Sequence, residues 1–189
     1  MRFHPTPIAG AVIIELEPRR DDRGFFARTW ALEEFAAHGL PHGLVQASLS
    51  RNDRRGTVRG MHLQLPPSAE GKLVRCTRGA IYDVVIDLRP GSPTYRRHTS
   101  VELTAEAGNA LFIPPLLAHG FQTLADDTDV FYQMTDVHAP ALAHGVRWND
   151  AAFGIDWPIR EGITIAERDR DYPDFDHDAY MARLEACRR

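Results

Sequence analysis

Four ionisable side chains stand out because each lies in or beside a stretch patterned like a β-strand. They are His62 in Arg59-Gly60-Met61-His62-Leu63-Gln64, Lys72, His119 in Ala118-His119-Gly120, and Tyr132. An imidazole, an ammonium and a phenol together can take up a proton, return one and steady negative charge between the two events. Each also has a plainer reading. A strand histidine is commonly a hydrogen-bonded structural residue, a buried tyrosine keeps its hydroxyl at the rim, and a lysine blunts a sheet edge in water. What makes the set of interest is that inward side chains from different strands of a barrel converge on one cavity.

The elements that must position these groups are mostly strands. Gly10 to Leu16 reads as a strand ending at the polar cluster Pro18 to Arg23, and Trp30 to Ala37 has helical spacing closed by Gly39 and Pro41. Beyond it, Lys72–Cys76, Ala80–Leu88, Thr99–Leu103, Ala110–Ile113, Gly120–Leu124 and Val130–Met134 read as strands separated by turn signals. Strands at this spacing favour a sandwich or small barrel. His177 to Cys187 reads as a short amphipathic helix.

The chain has 189 residues, 22 Lys plus Arg against 26 Asp plus Glu, and a net charge of −4. That balance argues against general nucleic-acid binding while leaving room for a local basic patch that holds a phosphate. The expected organisation is a single domain over 1–189, with no repeat or low-complexity tract, able to bury about 70% of its unfolded surface. Two cysteines, Cys76 and Cys187, are too few for a disulfide framework and suit a reducing compartment. No apolar run approaches a membrane span, and the segment Met1-Arg2-Phe3-His4-Pro5 lacks the apolar core of a signal peptide. The expectation is a cytoplasmic protein that binds neither membrane nor nucleic acid.

Several motifs occur in a fixed order: Asp21-Asp22-Arg23-Gly24-Phe25-Phe26, Arg59-Gly60-Met61-His62, Gly71-Lys72-Leu73-Val74-Arg75-Cys76 and Ser92-Pro93-Thr94. Ile113-Pro114, Ala118-His119-Gly120-Phe121, Tyr132-x-x-Thr135-Asp136 and Trp148-Asn149-Asp150 follow. Over about Gly10 to Pro173 this resembles the dTDP-4-dehydrorhamnose 3,5-epimerase family of nucleotide-sugar epimerases. The resemblance implies a mainly β fold, a cupin-type double-stranded β-helix or jelly-roll sandwich with short peripheral helices. It also implies a homodimer with exchanged N-terminal strands.

Enzymes of this family invert carbons beside the C4 ketone of a nucleotide diphosphate-linked 4-keto-6-deoxyhexose, without a cofactor or metal. One face of the sugar then needs a base and the other an acid, with positive charge near the C4 oxygen. By resemblance His62 is the base, Asp169 its orienting carboxylate, Lys72 the cation and Tyr132 the acid. His119 is expected in the pocket, orienting substrate or supporting the His62–Asp169 pair. Arg59 aligns with a diphosphate ligand, and Arg23 and Phe26 with residues that reach the nucleotide from a partner subunit.

Three positions depart from the family pattern. Arg28 stands where Glu is common, Ser48 (in Gln46-Ala47-Ser48) where Asn is common, and His138 where Tyr is common. These positions, with Gln46, are expected toward the nucleotide, so the base recognised and the sugar centres inverted stay open. Three other readings compete. One is a metal-dependent cupin using His62, Gln64, Glu70 and His119. The second is a non-catalytic sugar-binding or structural cupin, and the third a ketoisomerase on a related scaffold that moves the carbonyl from C4 to C3.

Overall fold

A computed structural model describes residues 1–41 and 43–187. Its strands are β1 (Arg2–Pro5), β2 (Val12–Glu15), β3 (Arg19–Asp21), β4 (Gly24–Phe26), β5 (Gln46–Asn52), β6 (Thr57–Gln64) and β7 (Lys72–Arg78). They continue with β8 (Ala80–Asp87), β9 (His98–Thr104), β10 (Ala110–Ile113), β11 (Leu117–Thr123), β12 (Thr128–Met134), β13 (Ala143–Gly145) and β14 (Thr164–Ile165). The α-helices are α1 (Leu32–Ala37), α2 (Glu167–Arg170) and α3 (His177–Cys187). One sheet runs β1-β2-β10-β7-β12-β5 and the other β13-β6-β11-β8-β9, with β14 parallel to β6. The short ribbon β3–β4 stands apart from both.

Alternation along the strands decides which side chains meet. Val74, Ile81, Val85, Leu111, Phe121 and Val130 point between the sheets and form the central core. Met61, Leu63, Val84, Ile86 and Ala118 point outward from the second sheet and are covered by Phe153, Trp157, Tyr180 and Leu184, the last two from α3. Ile14, Leu73, Ala110 and Phe112 point outward from the first sheet, against Phe35 of α1. Because successive strand side chains alternate faces, an outward Met61, Leu63 and Ala118 leaves His62 and His119 facing inward. An outward Leu73 does the same for Lys72.

The strand read over Gly10–Leu16 is β2, paired with a β1 that the sequence reading did not separate. The polar cluster at Pro18 to Arg23, read as the end of that strand, instead carries β3 of the ribbon.

Candidate active site

The inner walls of the two sheets enclose a cavity of about 330 Å³ lined by Ser48, Leu49, Ser50, Arg59, His62, Lys72, His119, Phe121, Tyr132 and Asp169. That volume lies at the lower end of the range for small-molecule pockets, about 300–1,000 Å³. His62, Arg59 and His119 come from the second sheet, and Ser48, Lys72 and Tyr132 from the first. Asp169 enters from α2.

His62 Nε2 lies 2.7 Å from Asp169 Oδ1, and the Gly60 amide donates to Asp169 Oδ2 at 3.0 Å. Burial pushes the Asp169 carboxyl up, but the bonds from His62 and Gly60 outweigh it, so the group sits below the ordinary carboxylate range. An ionised Asp169 accepts from Nε2–H, which leaves Nδ1 of His62 as the basic nitrogen. The His62 side chain is 41% exposed against 8% for that of Asp169, so the pair has one dry end and one open end.

A break in β6 makes this arrangement possible. His62 pairs with His119 and Arg59 with Phe121, so Gly60 and Met61 together oppose Gly120. This is a β-bulge, which moves a side chain onto the opposite face. Gly60 has φ +119°, and a Cβ there would lie 2.6 Å from Gly120 Cα and 2.7 Å from the His119 carbonyl oxygen. Only glycine fits the position.

Lys72 Nζ pairs with Glu70 Oε2 at 2.7 Å. The loop carrying Glu70 is tied to the segment after β12: Gly71 N–H donates to Thr135 Oγ1 at 2.7 Å and Ala69 N–H to Asp136 Oδ2 at 3.0 Å. The Thr135-Asp136 motif therefore places the cation. Tyr132 is driven well above the ordinary phenol range by burial, with Asp83 adding to the rise while Ser50 and Arg59 oppose it. Its neutral form is a donor that gives up its proton reluctantly.

Arg59 Nε donates to Asn52 Oδ1 at 2.7 Å and Nη2 to the Arg51 carbonyl at 3.3 Å, which holds the guanidinium by its cavity edge. His119 is not joined to the His62–Asp169 pair. Its Nε2 lies 2.7 Å from Oδ1 of Asp83, a fully buried residue that the sequence reading did not single out. The signal was present, since Asp83 interrupts the apolar run Ala80–Leu88.

The remaining expected residues lie outside this cavity. His138 lines an adjoining recess of about 210 Å³ that shares His62 and Lys72, and its amide donates to Gln46 Oε1 at 3.1 Å. Phe26 and Arg28 line a separate surface cleft, with Arg28 paired to Glu34 at 3.2 Å. Arg23 is 90% exposed and pairs with Asp21. Within one chain, then, Arg23, Phe26 and Arg28 are not brought to the cavity.

The set weighed as a metal site has other work. Gln64 Oε1 accepts from Ala139 N–H at 2.6 Å, and Nε2 donates to Ser68 and the Val137 carbonyl. Glu70 faces Lys72, and the Nε2 atoms of His62 and His119 face different carboxylates. Among the described residues no group of three His, Cys, Asp or Glu side chains is placed to hold a metal ion.

Two antiparallel sheets with a polar pocket between them define a cupin-type jelly roll. The family model for dTDP-4-dehydrorhamnose 3,5-epimerase matches residues 5–177, and the chain belongs to that family. It is 42% identical over 173 residues to dTDP-4-dehydrorhamnose 3,5-epimerase of Sinorhizobium fredii, covering 92% of this chain and 89% of the relative. It is 38% identical to dTDP-4-dehydrorhamnose 3-epimerase of Streptomyces niveus, covering 90% of this chain and 82% of the relative. A crystal structure of dTDP-6-deoxy-D-glucose-3,5-epimerase from Legionella pneumophila, in complex with dTDP-4-keto-L-rhamnose, superposes with TM-score 0.89. Its identity is 31%, covering 97% of this chain and 96% of that one. The protein is an epimerase. Among the described residues no helix is long and apolar enough to cross a membrane.

Proposed function

We propose that this epimerase inverts C3, C5 or both in a dTDP-linked 4-keto-6-deoxyhexose, or in a closely related nucleotide sugar, by removing a proton beside the C4 ketone and returning one to the opposite face. One observation carries the reading: His62 with Asp169 stands on one wall of the cavity and Tyr132 on the other, each wall belonging to a different sheet. His62 Nδ1 takes the proton, Asp169 steadies the imidazolium, Lys72 offsets charge growing on the C4 oxygen, and Tyr132 donates from the far side. A sugar-binding cupin has no use for a base and an acid on opposed walls.

Arg59 holds the diphosphate by its charged edge. The ribbon β3–β4 serves a second copy of the chain, because Arg23 and Phe26 are largely exposed and neither lines the cavity of its own chain. The ribbon stands apart from both sheets, which suits a homodimer that exchanges N-terminal strands. The setting is the cytoplasm, where the reaction needs nothing beyond these side chains.

The test is hydrogen exchange in D2O. Wild-type protein is expected to place deuterium at C3 or C5 of the substrate, and His62→Ala to lose this by about 10²–10⁴-fold. Exchange at the wild-type rate in that variant would refute the assignment of the base.

A further inference from the structure

Asp83 is a carboxylate set in the sandwich core that the mechanism above does not use. It is fully buried on β8, with Oδ1 2.7 Å from His119 Nε2. Its Oδ2 is also buried and has no hydrogen-bond partner among the described residues. Stability does not account for such a group. A buried ion pair commonly gains little over an apolar replacement, and an unpaired buried oxygen is a cost.

What the pair does hold is the orientation of one ring. The His119 imidazole packs edge-on against the Tyr132 ring, with centroids 6.2 Å apart and planes at 76°. Both rings line the cavity. With Nε2 committed to Asp83, Nδ1 is the ring nitrogen left to exchange a proton.

Tyr132 has a need that this arrangement meets. Once its proton has gone to the sugar carbon, it is a phenolate in a buried site that resists the charge. The proton removed from the sugar is then on His62, across the cavity on the other face of the substrate. Tyr132 therefore cannot recover it directly while the sugar is in place.

We propose that Asp83 is a positioning residue that holds His119 as the donor restoring the Tyr132 proton after each inversion. This rests on the epimerase reading. The step requires the His119–Asp83 pair to enter the cycle with one proton more than a neutral imidazole and a carboxylate. The sugar carbon takes the Tyr132 proton, the pair passes its extra proton to the phenolate, and the pair is left with one negative charge. When product leaves, His62 releases the abstracted proton to water and the pair takes one from water, so protons balance over the cycle. Burial raises the Asp83 carboxyl above its ordinary range, although His119 pulls the other way, and this favours the loaded pair.

Rapid-quench kinetics on a dTDP-linked 4-keto-6-deoxyhexose test the idea, comparing the wild type with Asp83→Asn. The variant is expected to invert one equivalent per site within about twofold of the wild-type rate, then to turn over about 10²-fold more slowly. Equal steady-state rates in the two proteins overturn the inference, and so does a parallel slowing of first and later turnovers. Should Asp83→Asn fail to fold, Asp83→Ser is read by the same two criteria. A wild type that shows no solvent exchange overturns the epimerase reading and this inference with it.

Discussion

Arg59 and His62 present their side chains on the same face of β6, although simple alternation would place positions 59 and 62 on opposite faces. The bulge at Gly60 and Met61 absorbs the odd residue, and the Gly60 amide freed beside it binds Asp169. One local irregularity thus aims a guanidinium and an imidazole into one cavity and anchors the carboxylate behind the imidazole.

Gly60→Ala is accordingly a severe change. The left-handed-side φ of +119° alone costs about 1–3 kcal/mol, and the close contact with the Gly120 backbone adds to it. A lower melting temperature and loss of inversion are expected together. A variant with wild-type stability and activity would show that the two strands are not locked as described.

Tyr132→Phe separates the two halves of the reaction. His62 and Tyr132 sit on different sheets, so under the proposed mechanism the variant is expected to keep measurable deuterium incorporation while inversion falls by about 10²–10⁴-fold. Nuclear magnetic resonance of the sugar protons reads both quantities in one sample. Inversion at full rate would assign the acid to another group.

Asp87 provides a pH dependence away from the site. Burial pushes its carboxyl up, but donors from Arg89, Ser92 and Thr94 win and hold it at about 2. Its folded value lies below the unfolded one, so its stabilisation is complete above about pH 4 and fades as pH falls toward 2. The loss is about 2 kcal/mol for this group. Asp87→Asn should be less stable than wild type at neutral pH, with the gap closing in acid; a gap independent of pH down to 2 would contradict the ion pairing. The Ser92-Pro93-Thr94 motif is explained by this role, since both hydroxyls donate to Asp87 Oδ2 at 2.6 Å.

Nucleotide preference is addressed by thermal shift with dTDP, UDP, GDP and CDP. A ligand that binds only the folded chain raises its melting temperature by mass action. The relatives are named for dTDP sugars, so dTDP is expected to give the largest shift unless Arg28, Ser48 and His138 redirect the choice. An equal response to all four would mean that recognition stops at the diphosphate.

Much of this was legible from the residues alone, for identifiable reasons. The apolar strands β8 and β10 and the helix α3 lie at, or within one residue of, the bounds their patterning predicts. His62, Lys72, His119 and Tyr132 were visible because ionisable groups within strand patterning are conspicuous, and all four line the cavity. The strand β5 escaped notice because most of Gln46–Asn52 is exposed and polar. The bounds of β6 could not be drawn because Gly60 breaks its alternation, which also hid the shared face of Arg59 and His62. Asp83 was passed over inside an apolar run, where its partner could be known only from the pairing of β8 with β11.

The groups proposed to act on the sugar, His62 and Tyr132, are mounted on separate halves of a sandwich, as on the jaws of a caliper. Packed sheets lie about 10 Å apart, and here that gap is filled by Val74, Val85, Leu111 and Val130. Trimming such a residue is expected to leave a cavity between the jaws and to change how His62 and Tyr132 face each other, so the spacing across the pocket is set by apolar side chains that take no part in it.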